Sequence, residues 1–187
     1  VCNDSETARD EVDVRVDERT LREVYLLPFE YAVDAGCVGL LAAYNRVNGA
    51  WCAEQAEVLT NIVKGEWAFG GLVMSDWFGT HSTEGSINAG LDLEMPGPAR
   101  FLGSKVEAAV EAGSVLRSRV EDAAARVTAV ARGLNAAKSP PPPAEEAEAL
   151  LVEAAAAGFT LLRNEGAMLP LVPGTIGRLA VIGPNAY

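Results

Sequence analysis

Basic residues, histidine and cysteine are all scarce in this 187-residue chain, and each shortage removes a class of function. Fifteen Lys and Arg stand against 26 Asp and Glu, a formal charge of −11, and only three of the basic residues are Lys (Lys64, Lys105 and Lys138). They occur singly. Neutralising a phosphate backbone takes clustered Lys and Arg, so nucleic acid is excluded as a partner, and an anionic membrane surface is disfavoured on the same ground. No apolar run approaches the roughly 18 residues of a membrane span. With one histidine, His81, a multi-histidine metal site is excluded, as is any Ser/His/Asp triad built without it. Cys2, Cys37 and Cys52 are odd in number and lack C-x-x-C spacing, which excludes a disulfide framework and a zinc cluster. Reduced thiols point towards the cytoplasm, although the first residue is Val1 and a leader is expected to lie upstream if there is one. The chain has no G-x-G-x-x-G and no P-loop. Nothing in it calls for a cofactor or a metal.

What is present is a globular composition, 49% hydrophobic and 22% charged. Leu21, Val24, Tyr25, Phe29 and Ala32 or Val33 recur at three- and four-residue steps and predict a helix over 18–35, kinked or broken at Pro28. Cys37 to Asn45 is a short, almost wholly apolar run, as in a strand buried on both faces, and Asn48-Gly49 marks a turn. A second helix is predicted over 53–67 and a second buried strand over Leu72 to Trp77. A polar loop and a third short run, Gly90 to Met95, follow. Ser118 to Glu121 has capping-box spacing, opening a helix whose apolar face is Val120, Ala124, Val127, Ala131 and Leu134. Alternating strands and helices predict an α/β fold with parallel strands and helical crossovers. The run Pro140 to Pro143 reads as a semi-rigid linker. Beyond it are expected an alanine-rich helix (145–157) and strands at 159–163 and 178–183. These are too few residues for a typical domain.

Apolar strands that end abruptly in a carboxylate draw attention, because parallel α/β folds place reactive groups at strand C-termini. Leu72-Val73-Met74-Ser75-Asp76-Trp77 is the clearest case. A carboxylate beside an aromatic face suits a sugar, whose C–H faces stack on rings while an anion attacks or stabilises the anomeric carbon. An Asp that caps a turn beside a core Trp fits the same pattern equally well. Tyr44-Asn45 closes the preceding strand, and there a core aromatic followed by a turn residue is the plainer reading. His81 reads as an exposed loop histidine, with a base or ligand-contacting role as the alternative. Asp92 and Glu94, at i and i+2, brace a loop or bind a cation, and bracing is favoured. No Lys lies at a strand end, which disfavours a Schiff-base aldolase.

Four stretches together resemble glycoside hydrolase family 3, in particular its β-glucosidase-like members: Asn3-Asp4-Ser5-Glu6-Thr7-Ala8-Arg9; Ala42 to Gly49 (AAYNRVNG); Val73 to Trp77 running on to Gly90 to Gly97 (GLDLEMPG); and Leu161 to Asn164 with Leu169 to Leu171. The resemblance implies the C-terminal half of a (β/α)₈ TIM-type barrel over 1–136, a Pro-rich linker over 137–144 and the start of an α/β sandwich domain over 145–187. It implies Asp76 as the catalytic nucleophile, with Tyr44 and Trp77 lining the subsite for the non-reducing sugar of a β-glucoside or oligosaccharide. A tryptophan after the nucleophile favours glucose over xylose or N-acetylglucosamine. Phe78-Gly79-Thr80 and Pro98 to Phe101 look most like the subgroup with an inserted carbohydrate-binding module. The family's acid/base and its Lys-His pair fall outside these residues, so the chain by itself is expected to be inactive. Other family 3 exo-β-glycosidases, a non-catalytic carbohydrate-binding remnant, and an α/β-barrel lyase or isomerase using Asp76 as a base are the alternatives.

Overall fold

The computed structural model describes residues 1–136, 140–172 and 174–186, and divides into two compact units, Val1–Lys138 and Ser139–Tyr187. In the first, β1 (Asp13–Val14) leads into α1 (Glu18–Thr20), capped by Asp17, whose side chain accepts the Thr20 N–H at 2.9 Å. Helical winding continues through a π-wound segment, Leu21–Leu26, into α2 (Leu27–Asp34). Pro28 therefore neither breaks nor ends the helix as expected. It sits in the first turn of α2, directly after the wider π turns, where its missing N–H and bulky ring are tolerated.

Two small sheets follow from the apolar runs. β2 (Gly39–Ala42), β5 (Leu72–Trp77) and β6 (Leu93–Met95) pair in parallel in the order β2-β5-β6. β3 (Arg46–Val47) and β4 (Ala50–Trp51) form an antiparallel hairpin, with β1 pairing parallel to β3. The hairpin turns at Asn48-Gly49, both at positive φ (52° and 95°), the geometry a two-residue turn demands. The expected helix over 53–67 is shorter and differently wound, with a 3₁₀ turn at Cys52–Glu54 and a π-wound helix at Glu57–Glu66. Its Val58, Leu59, Ile62 and Val63 are buried against Leu26, Ala42, Val73 and Leu91. The opposite face of the sheet is different: Leu41, Met74 and Leu93 lie side by side in register, and Leu41 is 47% exposed.

Three expectations over 78–136 need correction. The polar loop after β5 contains α3 (Glu84–Ala89), a helix ended by Gly90 at φ 113°, and α4 (Ser104–Glu111) follows β6. The helix placed at Ser118 is α5 (Arg117–Ala136), which starts one residue before the predicted cap. Its inward face also differs, because Ala123 is buried while Ala124 and Ala131 are exposed; the Leu134 side chain lies outside the described residues. Charge accounts for the rotation. Arg119 donates to the Ile87 and Leu91 carbonyls at 2.9 Å each, and Arg126 to those of Phe69 and Gly71 at 2.7 and 2.9 Å. These bonds fix a face that apolar periodicity did not mark.

In the second unit, α6 (Ala144–Gly158) extends the expected helix by one residue at each end, and a single 3₁₀ turn occupies Glu165–Ala167. The strands predicted at 159–163 and 178–183 do not form; among its described residues this unit contains no strand. Strands need a neighbour to satisfy their N–H and C=O groups, and none of these segments has one. Of the predicted linker, 137–139 lies outside the described residues, and Pro140 to Pro143 are exposed and non-helical.

Candidate active site

The C-terminal ends of β2 and β5 are adjacent because Ala42 pairs with Ser75. That register brings together Tyr44, two residues beyond β2, with Asp76 and Trp77 at the end of β5. All three predicted site residues therefore meet. Tyr44 is half-buried; burial pushes its phenol above the ordinary value, and the nearby Asp76 carboxylate adds to that. Asp76 is itself half-buried, and one of its oxygens accepts the Trp77 N–H at 2.7 Å. Trp77 is not a core residue. The residue is 52% exposed, and an exposed indole is available to a ligand face.

A cavity of about 410 Å³ lies here, lined by Arg9, Asp10, Tyr44, Trp77, Phe78 and His81. The Arg9 guanidinium sits 5.2 Å above the Tyr44 ring, and that of Arg100 5.4 Å from the Phe78 ring. Phe78, 55% exposed and at φ +64°, turns the chain after Asp76. Sequence reasoning did not single out Arg9 and Phe78, which line this cavity; their only signal was their place in the quoted motifs. His81 lies in a loop as expected, but it is not exposed. Its ring is half-buried and stacks on Trp51 at 3.7 Å between centroids, with 14° between planes. Burial lowers its pKa from 6.5, with Arg46 and Arg100 helping and Glu54 opposing.

Polar residues brace the sheet and the chain around it. Asn45, expected as a turn residue, is fully buried and serves as a hub. It accepts from the Asn3 amide at 2.9 Å and donates to the Cys2 and Arg46 carbonyls at 3.1 Å each, tethering residues 1–3 beside Tyr44. Asp92 and Glu94 do brace, on separate partners. Asp92 pairs with Lys64 at 2.6 Å and with Arg119, and accepts the Val73 N–H at 2.8 Å. Glu94 accepts the consecutive N–H groups of Arg100, Phe101 and Leu102 at 3.0, 2.8 and 2.7 Å, fixing the loop after β6. Among the described residues no group of three or more His, Cys, Asp and Glu is placed to hold a metal ion, and no helix is long and apolar enough to cross a membrane.

Parallel strands ending in a carboxylate, with aromatic side chains around an open cavity, define an α/β chain with a site at the strand C-termini. The chain belongs to glycosyl hydrolase family 3: residues 3–130 match the family's N-terminal domain. It is 46% identical over its full length to a β-glucosidase of Rhizobium radiobacter and 42% identical to a probable β-glucosidase J of Emericella nidulans, covering 24% and 22% of those proteins. Among solved structures, DesR, a β-glucosidase from Streptomyces venezuelae in complex with D-glucose, superposes over 91% of this chain and 24% of its own, with a TM-score of 0.68 at 37% identity. The chain thus spans about a quarter of the length of the curated relatives it matches.

Proposed function

We propose that the protein carrying this chain removes terminal non-reducing β-D-glucosyl residues by double displacement with retention, with Asp76 as nucleophile and Tyr44 and Trp77 holding the sugar. The observation that carries this is the placement of Tyr44, Asp76 and Trp77 together at one end of the β2-β5-β6 sheet, set by the Ala42–Ser75 register, beside a cavity lined by Tyr44 and Trp77. The Trp77 backbone N–H orients the Asp76 carboxylate, and the exposed indole offers a C–H stacking surface. Asp76 attacks the anomeric carbon while an acid protonates the leaving oxygen. Water, activated by the same group as base, then releases the glucose. A retaining mechanism needs that second carboxyl about 5–5.5 Å from the first. No residue of 1–187 is given that role, and the chain alone is proposed to be inactive.

The same reading makes 1–136 the second half of a (β/α)₈ barrel, 137–144 a linker and 145–187 the start of an α/β sandwich. The apolar row Leu41–Met74–Leu93 supports it, because a barrel's inner face is packed with such side chains. The substrate inference is supported by relatives named β-glucosidases and a neighbour described with D-glucose. In the full-length protein, Asp76→Ala should lower kcat on an aryl β-glucoside by a factor on the order of 10³ or more, and a 2-fluoro-glucoside should label Asp76. Activity within tenfold of wild type in that variant rejects the assignment.

A further inference from the structure

The pairing of β5 with β6 is irregular where it matters for Asp76. Met74 pairs with Leu93 and Trp77 with Met95, so β5 advances three residues while β6 advances two. One extra residue on β5 makes a bulge, and Ser75 and Asp76 lie inside it. Ser75 has no exposed surface. Its Oγ accepts the Met95 N–H at 2.9 Å and donates to the Met95 carbonyl at 3.4 Å. That same carbonyl accepts the Phe78 N–H at 2.8 Å, and the Gly79 N–H closes onto the Asp76 carbonyl at 3.0 Å. Asp76 and Trp77 are thus clamped on both sides, by Ser75 and by Phe78, to the peptide groups of a single residue on the neighbouring strand.

We propose that Ser75 is a positioning residue for Asp76: its hydroxyl replaces the ladder hydrogen bond that the bulge breaks, and so fixes the bend that aims the carboxylate at the site. This rests on the reading of Asp76 as nucleophile. Side chains alternate faces along a strand and a bulge changes that alternation, so the bend at Ser75 and Asp76 sets the direction in which the carboxylate leaves the strand. An aliphatic residue at 75 leaves the part-buried Met95 N–H without this acceptor and removes the bond that holds the bulge in place. A hydroxyl is small enough for the space and bonds both ways. Ser75 is not among the residues that line the cavity; it acts through the backbone of Asp76.

The test uses the full-length protein with Ser75→Ala, Ser75→Thr and Asp76→Ala, measuring kcat and KM on an aryl β-glucoside, the rate of labelling by a 2-fluoro-glucoside, and the thermal transition. Misplacement of a reacting group by about 1 Å costs roughly 10²-fold. Ser75→Ala is therefore expected to lose at least about tenfold in kcat and in labelling rate, with KM within about threefold. Ser75→Thr, which keeps the hydroxyl, is expected to retain more kcat than Ser75→Ala. A merely structural role lowers the transition temperature without this split between kcat and KM. Unchanged kcat in folded Ser75→Ala, or a rise in KM alone, overturns the proposal while an inactive Asp76→Ala leaves the nucleophile standing. If Ser75→Ala does not fold, Ser75→Thr and Ser75→Cys decide: the weaker sulfur acceptor is expected to lower kcat below that of the threonine variant, and equal kcat in the two overturns the proposal. An active Asp76→Ala overturns the nucleophile instead.

Discussion

Removing the Asp92 carboxylate should be among the most damaging changes open to this chain away from the candidate site. Its side chain has no exposed surface, while those of Lys64 and Arg119 are 10% and 16% exposed. Asp92 also grips β5 through both peptide groups of Val73, accepting its N–H at 2.8 Å on the carboxylate and donating its own N–H to the Val73 carbonyl at 2.8 Å. In Asp92→Ala, Lys64 keeps only the Gly90 carbonyl at 2.7 Å, and Arg119 keeps the Asp122 carboxylate and the Ile87 and Leu91 carbonyls. That carboxylate is 44% exposed and already shared by Arg119 and Arg126. Breaking a buried pair by removing one partner costs about 3–5 kcal/mol, because the remaining charge is stranded. This compares with a total stability of about 5–15 kcal/mol, and corresponds to a fall in Tm of roughly 6–20 °C for a chain of this size. Urea unfolding followed by circular dichroism measures it. Pairing Asp92→Ala with Lys64→Met, which removes one stranded cation, should cost less than the two single changes added together. A loss below about 1 kcal/mol for Asp92→Ala, the range of an exposed pair, would refute the claim that burial makes this cluster matter.

Two further predictions concern the same unit. Gly71→Ala places a Cβ 2.4 Å from the Val38 carbonyl oxygen and 2.5 Å from the Phe69 ring, and the first of these is backbone that cannot move aside cheaply. A loss of about 1–3 kcal/mol is expected, read by chemical denaturation, and an unchanged midpoint contradicts the packing described. His81 is lowered from its ordinary pKa of 6.5, so the unfolded chain protonates first as pH falls. Stability is full above about pH 6.5 and declines as pH drops from there towards the folded-state value. His81→Gln should remove that part of the decline in Tm measured between pH 7.5 and 5; parallel curves for the two proteins show that His81 does not contribute.

Much of the site could be read directly. The run Leu72 to Trp77 is the strand β5 residue for residue, because an apolar stretch ending in Ser-Asp-Trp carries both its burial and its boundary. Asn48-Gly49 made its turn, since few residues accept positive φ twice in succession. Less visible were elements whose cause lies in distant partners. The inward face of α5 follows Arg119 and Arg126 reaching carbonyls 28 to 57 positions away, and the terminal strands failed because a strand needs a neighbour that local pattern does not supply.

By itself the sequence determined the class of chain and pointed to Asp76, Tyr44 and Trp77 as the residues to watch. These properties reside in composition and short motifs. Tertiary structure decided how those residues meet: the β2–β5 register that sets Tyr44 against Asp76, the stacking of His81 on Trp51, and the β5–β6 bulge held by the Ser75 hydroxyl. Each joins groups far apart in the chain, and the free energy of such contacts depends on packing and register, which no single stretch of sequence contains.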